Sequence, residues 1–259
     1  MDLNLSGKTT LVTASSEGLG KHSALALAAE GADVAICARR PEVLEATRKE
    51  IEEIGNGRVL AIQADLSDGR DVERIISETV NAFGAITTLV NNMGISIRGD
   101  DDATWDAMYQ LNLMSAVRMT RTALPYLQNA ASQTGAESSS VIHIGSIYGR
   151  ESGGSPQYNA MKAALHSYSK SLALELASKN IRVNTVAPGS IAWPGSRWQQ
   201  RYDDNPELIK RTIVDEIAFG RFGRPEEIGS VVAFLASQKA SWITGACINV
   251  DGGQSRSNL

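Results

Sequence analysis

Seven short apolar runs, separated by helix-length amphipathic segments, constrain this chain more than any other feature of its sequence. The runs are Thr9–Thr13, Asp33–Ala38, Val59–Gln63, Thr88–Asn91, Ser140–Gly145, Arg182–Ala187 and Ala246–Val250. Strands this apolar are buried on both faces, and parallel neighbours need crossovers of a dozen or more residues, which the intervening segments supply. The sequence therefore predicts an α/β fold, a doubly wound parallel sheet of about seven strands with helices on both faces. Helices are expected over Gly18–Glu30, Glu42–Ile54, Gly69–Phe83, Thr104–Leu127, Pro156–Lys179 and Pro225–Ala236, with Pro41, Pro156 and Pro225 suited to first turns.

Residues 1–259 read as one domain. Hydrophobic residues at 42% and charged residues at 21% are those of a soluble globular protein, and 23 glycines suit many tight strand-to-helix turns. A net charge of −4 without a basic run excludes nucleic acid and an anionic membrane as partners and leaves small molecules. The start, Met1 to Lys8, lacks the basic and then apolar stretches of a secretion signal, and no run approaches about 18 apolar residues, so a cytoplasmic location is expected. Cys37 and Cys247 read as buried small hydrophobes, and no metal is expected, because His22, His143 and His166 are scattered. Two stretches break the rhythm. Asn129–Ser140, with Gly135, reads as a polar surface loop. Residues 192–221 form an aromatic-rich insert with Trp193, Trp198 and Tyr202 and an amphipathic stretch near Leu208–Ile217, and this insert is expected to be a substrate lid.

Chemistry is suggested by Tyr158 and Lys162, four residues apart on a predicted helix and therefore on one face, with Ser146 twelve positions upstream. An ammonium beside a phenol favours the phenolate and lets a tyrosine act as general acid or base. The first strand runs into Ala14-Ser15-Ser16-Glu17-Gly18-Leu19-Gly20 and then a helix, the order that places a pyrophosphate at a positive helix end. The second strand ends in Ala38-Arg39-Arg40, which favours the 2′-phosphate of NADP(H) over NAD(H), although Glu17 argues the other way. Asp65 and Asn91-Asn92-Met93-Gly94 follow the third and fourth strands, where a cofactor would lie.

Taken together, the turn Thr13–Gly20, Asp65, Asn91–Gly94, Asn112, Ser146, Tyr158-x-x-x-Lys162, Asn184, Pro188-Gly189, Gly223–Glu227 and Asp251–Gly253 resemble the short-chain dehydrogenase/reductase family over essentially the whole chain. The resemblance implies a Rossmann-type fold and hydride transfer between a nicotinamide and a carbonyl or secondary alcohol. It implies Tyr158 as proton donor or base, Lys162 lowering the pKa of Tyr158 and binding the nicotinamide ribose, Ser146 binding the substrate oxygen, and Asn112 holding a water that links Lys162 to solvent. Cofactor contacts are expected from Thr13, Ser15, Ser16, Gly18, Leu19, Gly20, Arg39, Arg40, Asp65, Leu66, Asn92, Gly94, Tyr158, Lys162, Pro188, Gly189 and Ile191. The family also implies a homotetramer or homodimer.

Three positions depart from the family pattern: Ala14 replaces a glycine, Met93 an alanine, and Trp193 stands where a threonine commonly holds the nicotinamide carboxamide. For the substrate, Ser96, Ser146, Tyr148, Tyr158, Trp193 and Trp198 are expected around a mixed apolar pocket. The general pattern is most similar to 3-oxoacyl-acyl-carrier-protein reductases, although the segment 129–140 carries Glu137 and no Lys or Arg, and only Lys179 looks placed to meet an acidic carrier protein. A secondary alcohol or sugar dehydrogenase of the same family is the alternative.

Overall fold

The computed structural model describes residues 2–133 and 137–258. Its strands are β1 (Thr9–Val12), β2 (Asp33–Ala38), β3 (Val59–Gln63), β4 (Thr88–Asn91), β5 (Ser139–Ile144), β6 (Ile181–Pro188) and β7 (Cys247–Val250). The helices are α1 (Gly18–Ala29), α2 (Pro41–Ile54), α3 (Gly69–Phe83), α4 (Asp102–Tyr109), α5 (Ser115–Gln133), α6 (Pro156–Leu176), α7 (Arg197–Asp204), α8 (Pro206–Glu216) and α9 (Pro225–Ala236). All seven strands join one parallel sheet in the order β3-β2-β1-β4-β5-β6-β7, as the apolar runs predict. The order reverses between β1 and β4, and ligands of such sheets bind in the crevice beyond the strand C-termini at that point. Among the described residues no helix is long and apolar enough to cross a membrane.

The sheet is sandwiched because every strand of its middle is apolar on both faces. On one side Val12, Val34, Ile36, Ile142 and Val186 pack with Leu27 of α1 and Ile228 and Val232 of α9. A Cβ on Gly229 would stand 2.4 Å from the His22 carbonyl oxygen, so α1 and α9 meet backbone to backbone and only glycine fits. On the other side Leu11, Leu89, Val141 and Val183 pack with Ile75 and Ile76 of α3 and Met119 and Leu127 of α5. Each fully buried side chain of this kind contributes roughly 1.5–3 kcal/mol, which makes the sheet a stiff base for whatever its strand ends carry.

Three expectations need correction. The helix expected over Thr104–Leu127 is two helices, α4 and α5, joined by a π-helical turn at Gln110–Met114. The Asn112 side chain accounts for the break: its Nδ2 donates to the Met108 carbonyl at 3.1 Å while its Oδ1 accepts from the Ile95 amide at 3.0 Å. The segment Asn129–Ser140 is a loop only in part, since α5 continues to Gln133 and β5 begins at Ser139; Gly135 lies outside the described residues. The insert holds two helices rather than one, because Ser196 caps α7 by accepting from the Gln199 amide at 3.1 Å, and Asn205 caps α8 by accepting from the Leu208 amide at 3.1 Å.

Candidate active site

A cleft of about 1440 Å³ opens above the C-terminal ends of β1, β4, β5 and β6, and is lined from Ala14 and Arg39 at one end to Trp198 and Leu208 at the other. Pockets for one small ligand span roughly 300–1,000 Å³, so this one has room for a dinucleotide with a second molecule beside it.

Its floor is built by β5 and α6. Ser155 caps α6, accepting from the Tyr158 amide at 3.4 Å, and the first two turns of α6 then lay Tyr158 and Lys162 on the face turned toward the strand ends. Lys162 is 2% exposed, and its Nζ donates to the Ile144 carbonyl at the end of β5 at 2.9 Å. Burial lowers its pKa to about 8. Ser146, 6% exposed, follows β5; its Oγ accepts from the Tyr148 amide at 3.2 Å and its side chain hydrogen-bonds the Tyr158 phenol. The phenol's pKa nevertheless lies above its ordinary value, because burial outweighs the Ser146 hydrogen bond. The Lys162 ammonium stands 5.7 Å from the centre of the Tyr158 ring, on the side from which it can meet a phenolate. Asn112 is fully buried, and Gly94 joins it to the lysine, since a Cβ there would lie 3.2 Å from Lys162 Nζ and 3.6 Å from Asn112 Oδ1.

The nucleotide end is built by β1 and α1. Glu17, at the N-cap of α1, makes no side-chain hydrogen bond to the helix, so the first amides of α1 lack a side-chain cap. Gly18 holds φ +55°, and a Cβ on Gly20 would stand 2.4 Å from Asn92 Nδ2 and 2.6 Å from the Ala14 carbonyl. An uncapped helix start beside close-packed glycines fits a pyrophosphate, and the glycine opening in front of Lys162 fits a flat ring with its ribose. The residues present therefore suit a nicotinamide dinucleotide.

Not every expected cofactor residue reaches this cleft. Ser15 is fully buried and clamps β1 to β2, donating to the Val12 carbonyl at 2.7 Å and accepting from the Cys37 amide at 3.1 Å. The Thr13 hydroxyl accepts from the Asn92 amide at 2.9 Å, and Asn92 Nδ2 donates back to the carbonyls of Thr13 and Ala14 at 3.0 and 2.9 Å, so this pair braces the turn. The Ser16 carbonyl accepts from Thr47 of α2, at 2.8 Å. Asp65 caps its own turn, accepting from the Ser67 amide at 2.9 Å, and Leu66 belongs to the apolar core; neither lines the cleft. Arg39 lines the cleft, whereas Arg40 is paired with Glu17. Leu19, Gly94, Pro188, Gly189, Ser190 and Ile191 all face the opening.

The expected substrate side chains divide. Ser96, Tyr148 and Trp198 line the outer cleft, with Trp198 packed on Phe222 at 5.1 Å between ring centroids. Trp193 sits at the other end, its ring 2.5 Å from where a Gly18 Cβ would be, so the indole lies against the glycine turn rather than beside Tyr158. Sequence reasoning missed Arg197, Arg201, Ile209, Thr212 and Glu216, which α7 and α8 bring to the cleft. The spacing Arg197-Trp198-x-x-Arg201, one helical turn, was the available signal.

The family model described as enoyl-(acyl carrier protein) reductase matches residues 13–255. The 3-oxoacyl-acyl-carrier-protein reductase of Thermotoga maritima is 35% identical over 256 residues, covering 97% of this chain and 99% of that protein. Among solved structures, L-sorbose reductase of Gluconobacter frateurii, complexed with NADPH and L-sorbose, superimposes with a TM-score of 0.91 at 30% identity, covering 99% of this chain and all of that one, 100%. An NADH-dependent reductase responsible for alginate metabolism, A1-R', gives a TM-score of 0.85 at 33% identity, with 97% and 98% of the two chains covered.

Proposed function

This chain belongs to the short-chain dehydrogenase/reductase family of oxidoreductases acting on CH–OH groups, and on that premise we propose that it is an NADPH-dependent ketone reductase with Tyr158 as its general acid. The observation that carries the reading is geometric: Tyr158 lines the cleft one helical turn from Lys162, whose Nζ is held by the Ile144 carbonyl, with Ser146 at the end of β5 beside them. A bound nicotinamide dinucleotide supplies the hydride. The protein's own residues do the rest. Ser146 and Tyr158 hydrogen-bond the carbonyl oxygen, whose developing negative charge their hydroxyls stabilise. Tyr158 then gives up its proton, and Lys162, held by the Ile144 carbonyl, stabilises the phenolate left behind. Asn112 holds the π-helical turn that fixes the wall beyond Gly94.

Selectivity for NADPH rests on Arg39. Glu17, the carboxylate that would repel a 2′-phosphate, is neutralised by Arg40, and Arg39 is left at the cleft without an ion pair among the described residues. Purified protein assayed with either nucleotide tests this: NADPH should be preferred, and Arg39→Ser should raise the KM for NADPH about tenfold while leaving that for NADH nearly unchanged. A strong NADH preference in the wild type contradicts it.

The substrate we infer is a 3-oxoacyl thioester or a related ketone, supported by the Thermotoga maritima relative. Reduction of acetoacetyl but not crotonyl thioesters supports carbonyl chemistry, and the reverse result overturns it. A sugar ketone is the second reading, favoured by the structural likeness to L-sorbose reductase. We also read the chain as a homotetramer or homodimer; Trp242, Val214, Phe219 and Leu174, respectively 98%, 76%, 73% and 72% exposed, support association.

A further inference from the structure

Three arginines, Arg98, Arg197 and Arg201, stand at the outer end of the cleft. Arg98 follows β4, while Arg197 and Arg201 stand one turn apart on α7 and so share a face. Arg197 Nη1 donates to Ser96 Oγ at 2.6 Å, which ties α7 to the loop that carries Arg98. The Arg201 guanidinium lies 5.1 Å over the Trp198 ring. Among the described residues, none of the three forms an ion pair, although Asp204 and Glu216 line the same cleft. Partial burial and then the charges of Arg201 and Arg98 lower the Arg197 pKa, so the like charges feel one another. Tyr148 and Tyr158 line the same cleft as the arginines; burial and then the carboxylates of Glu216 and Glu151 raise the Tyr148 pKa, while Arg201 lowers it.

Cations held together in a partly enclosed cleft attract an anion, because binding one relieves their repulsion and satisfies their fixed donors. Building on the reductase reading above, we propose that the substrate carries a carboxylate or a phosphate, which Arg197 and Arg201 bind while Arg98 closes the mouth over it. Ser96 and Trp198 hold the two guanidinium groups in place. The cluster then acts as the selector of the reaction, orienting the ketone so that its oxygen meets Ser146 and Tyr158.

The test uses paired ketones that differ only in charge: 5-oxohexanoate against its methyl ester, and acetoacetyl-pantetheine 4′-phosphate against acetoacetyl-pantetheine. In the wild type the charged member of one pair should have a kcat/KM about 10- to 100-fold above its neutral partner. That ratio should fall toward one in the double variant Arg197→Gln/Arg201→Gln and with rising salt, and recover in part in Arg197→Lys/Arg201→Lys. The pair that responds tells carboxylate from phosphate. A wild-type ratio near one in both pairs, or an unchanged ratio in the double variant, overturns the proposal. If no ketone is reduced, the reductase reading fails, and tryptophan fluorescence titration decides the anion site separately. Glutarate or propyl phosphate should bind the wild type about tenfold or more tightly than dimethyl glutarate, and equal affinities would overturn the site. Thermal melting of both variants confirms that they are folded.

Discussion

The floor of the cleft and its outer wall are built in opposite ways. On the floor, Lys162 is tied to the Ile144 carbonyl, Asn112 to the backbone of Met108 and Ile95, and Ser146 to the Tyr148 amide, all inside a buried sheet edge. In the insert, α7 has no buried residue and α8 has only Ile209; its attachments include Trp193 on Gly18, Trp198 on Phe222, Arg197 on Ser96, Arg221 on Glu227 and the Phe219 amide on the Gly252 carbonyl. A proton donor must hold its geometry to a fraction of an ångström, which backbone-anchored groups achieve, whereas selecting a substrate requires only complementary surface. The contrast predicts that changes in the floor abolish chemistry on every substrate, while changes in the wall alter which substrate is used.

The largest effect should come from Lys162→Met, which keeps the stem and removes the charge. Turnover is expected to fall about 10³-fold on all ketones alike, and a loss confined to one substrate class would erase the distinction between floor and wall.

Next comes pH. His143 lies fully buried on β5, and burial lowers its pKa to about 3; His166, one turn beyond Lys162, is lowered to about 4. Both imidazoles are therefore neutral in the native protein at a pH where the unfolded chain, near 6.5, already binds protons. Stability is fully present above about pH 6.5 and is lost as pH falls toward 4 and 3, at about 1.4 kcal/mol per pH unit for each group. Denaturant titrations from pH 7 to 4 check this slope, and a flat profile would mean that the floor is open to water. Lys162 adds a slope of the same sign at higher pH. Its charged form is disfavoured by folding, so stability also rises as pH increases from about 8 toward the value of the free side chain.

The smallest effect belongs to the nucleotide turn. Ala14 holds φ +50°, the left-handed region where an L side chain is strained. Ala14→Gly should stabilise the protein by about 0.5–1 kcal/mol, since the strain relieved exceeds the extra entropy of the unfolded chain. Thermal denaturation measures it, and a destabilised variant would show that the Ala14 methyl packs usefully.

The fold was legible because the apolar runs have no polar face, and only a parallel, doubly covered sheet buries such strands. The placement of Tyr158, Lys162 and Ser146 on one floor was legible for a related reason: helix spacing and a strand end fix them. What could not be read was how each polar group spends its hydrogen bonds. Ser15 and Leu19 stand in the same turn, yet one is an internal clamp and the other faces the cleft. Arg39 and Arg40 are adjacent and chemically identical, and only the position of Glu17 separates them. The π-helical turn leaves no mark on the apolar pattern, because it arises from two bonds of one side chain. Helix α7 carries few apolar residues, so the apolar pattern did not announce it, and only the one-turn spacing of Arg197 and Arg201 pointed to the arginines it delivers.

The measurement that bears most directly on this division is made on Tyr158→Phe. The variant should bind NADPH with nearly the wild-type Kd in a fluorescence titration while its ketone reduction falls by a factor of about 10³ or more. Turnover within a few-fold of the wild type, with the same cofactor affinity, would mean that the proton comes from elsewhere and that the floor is not the catalytic centre.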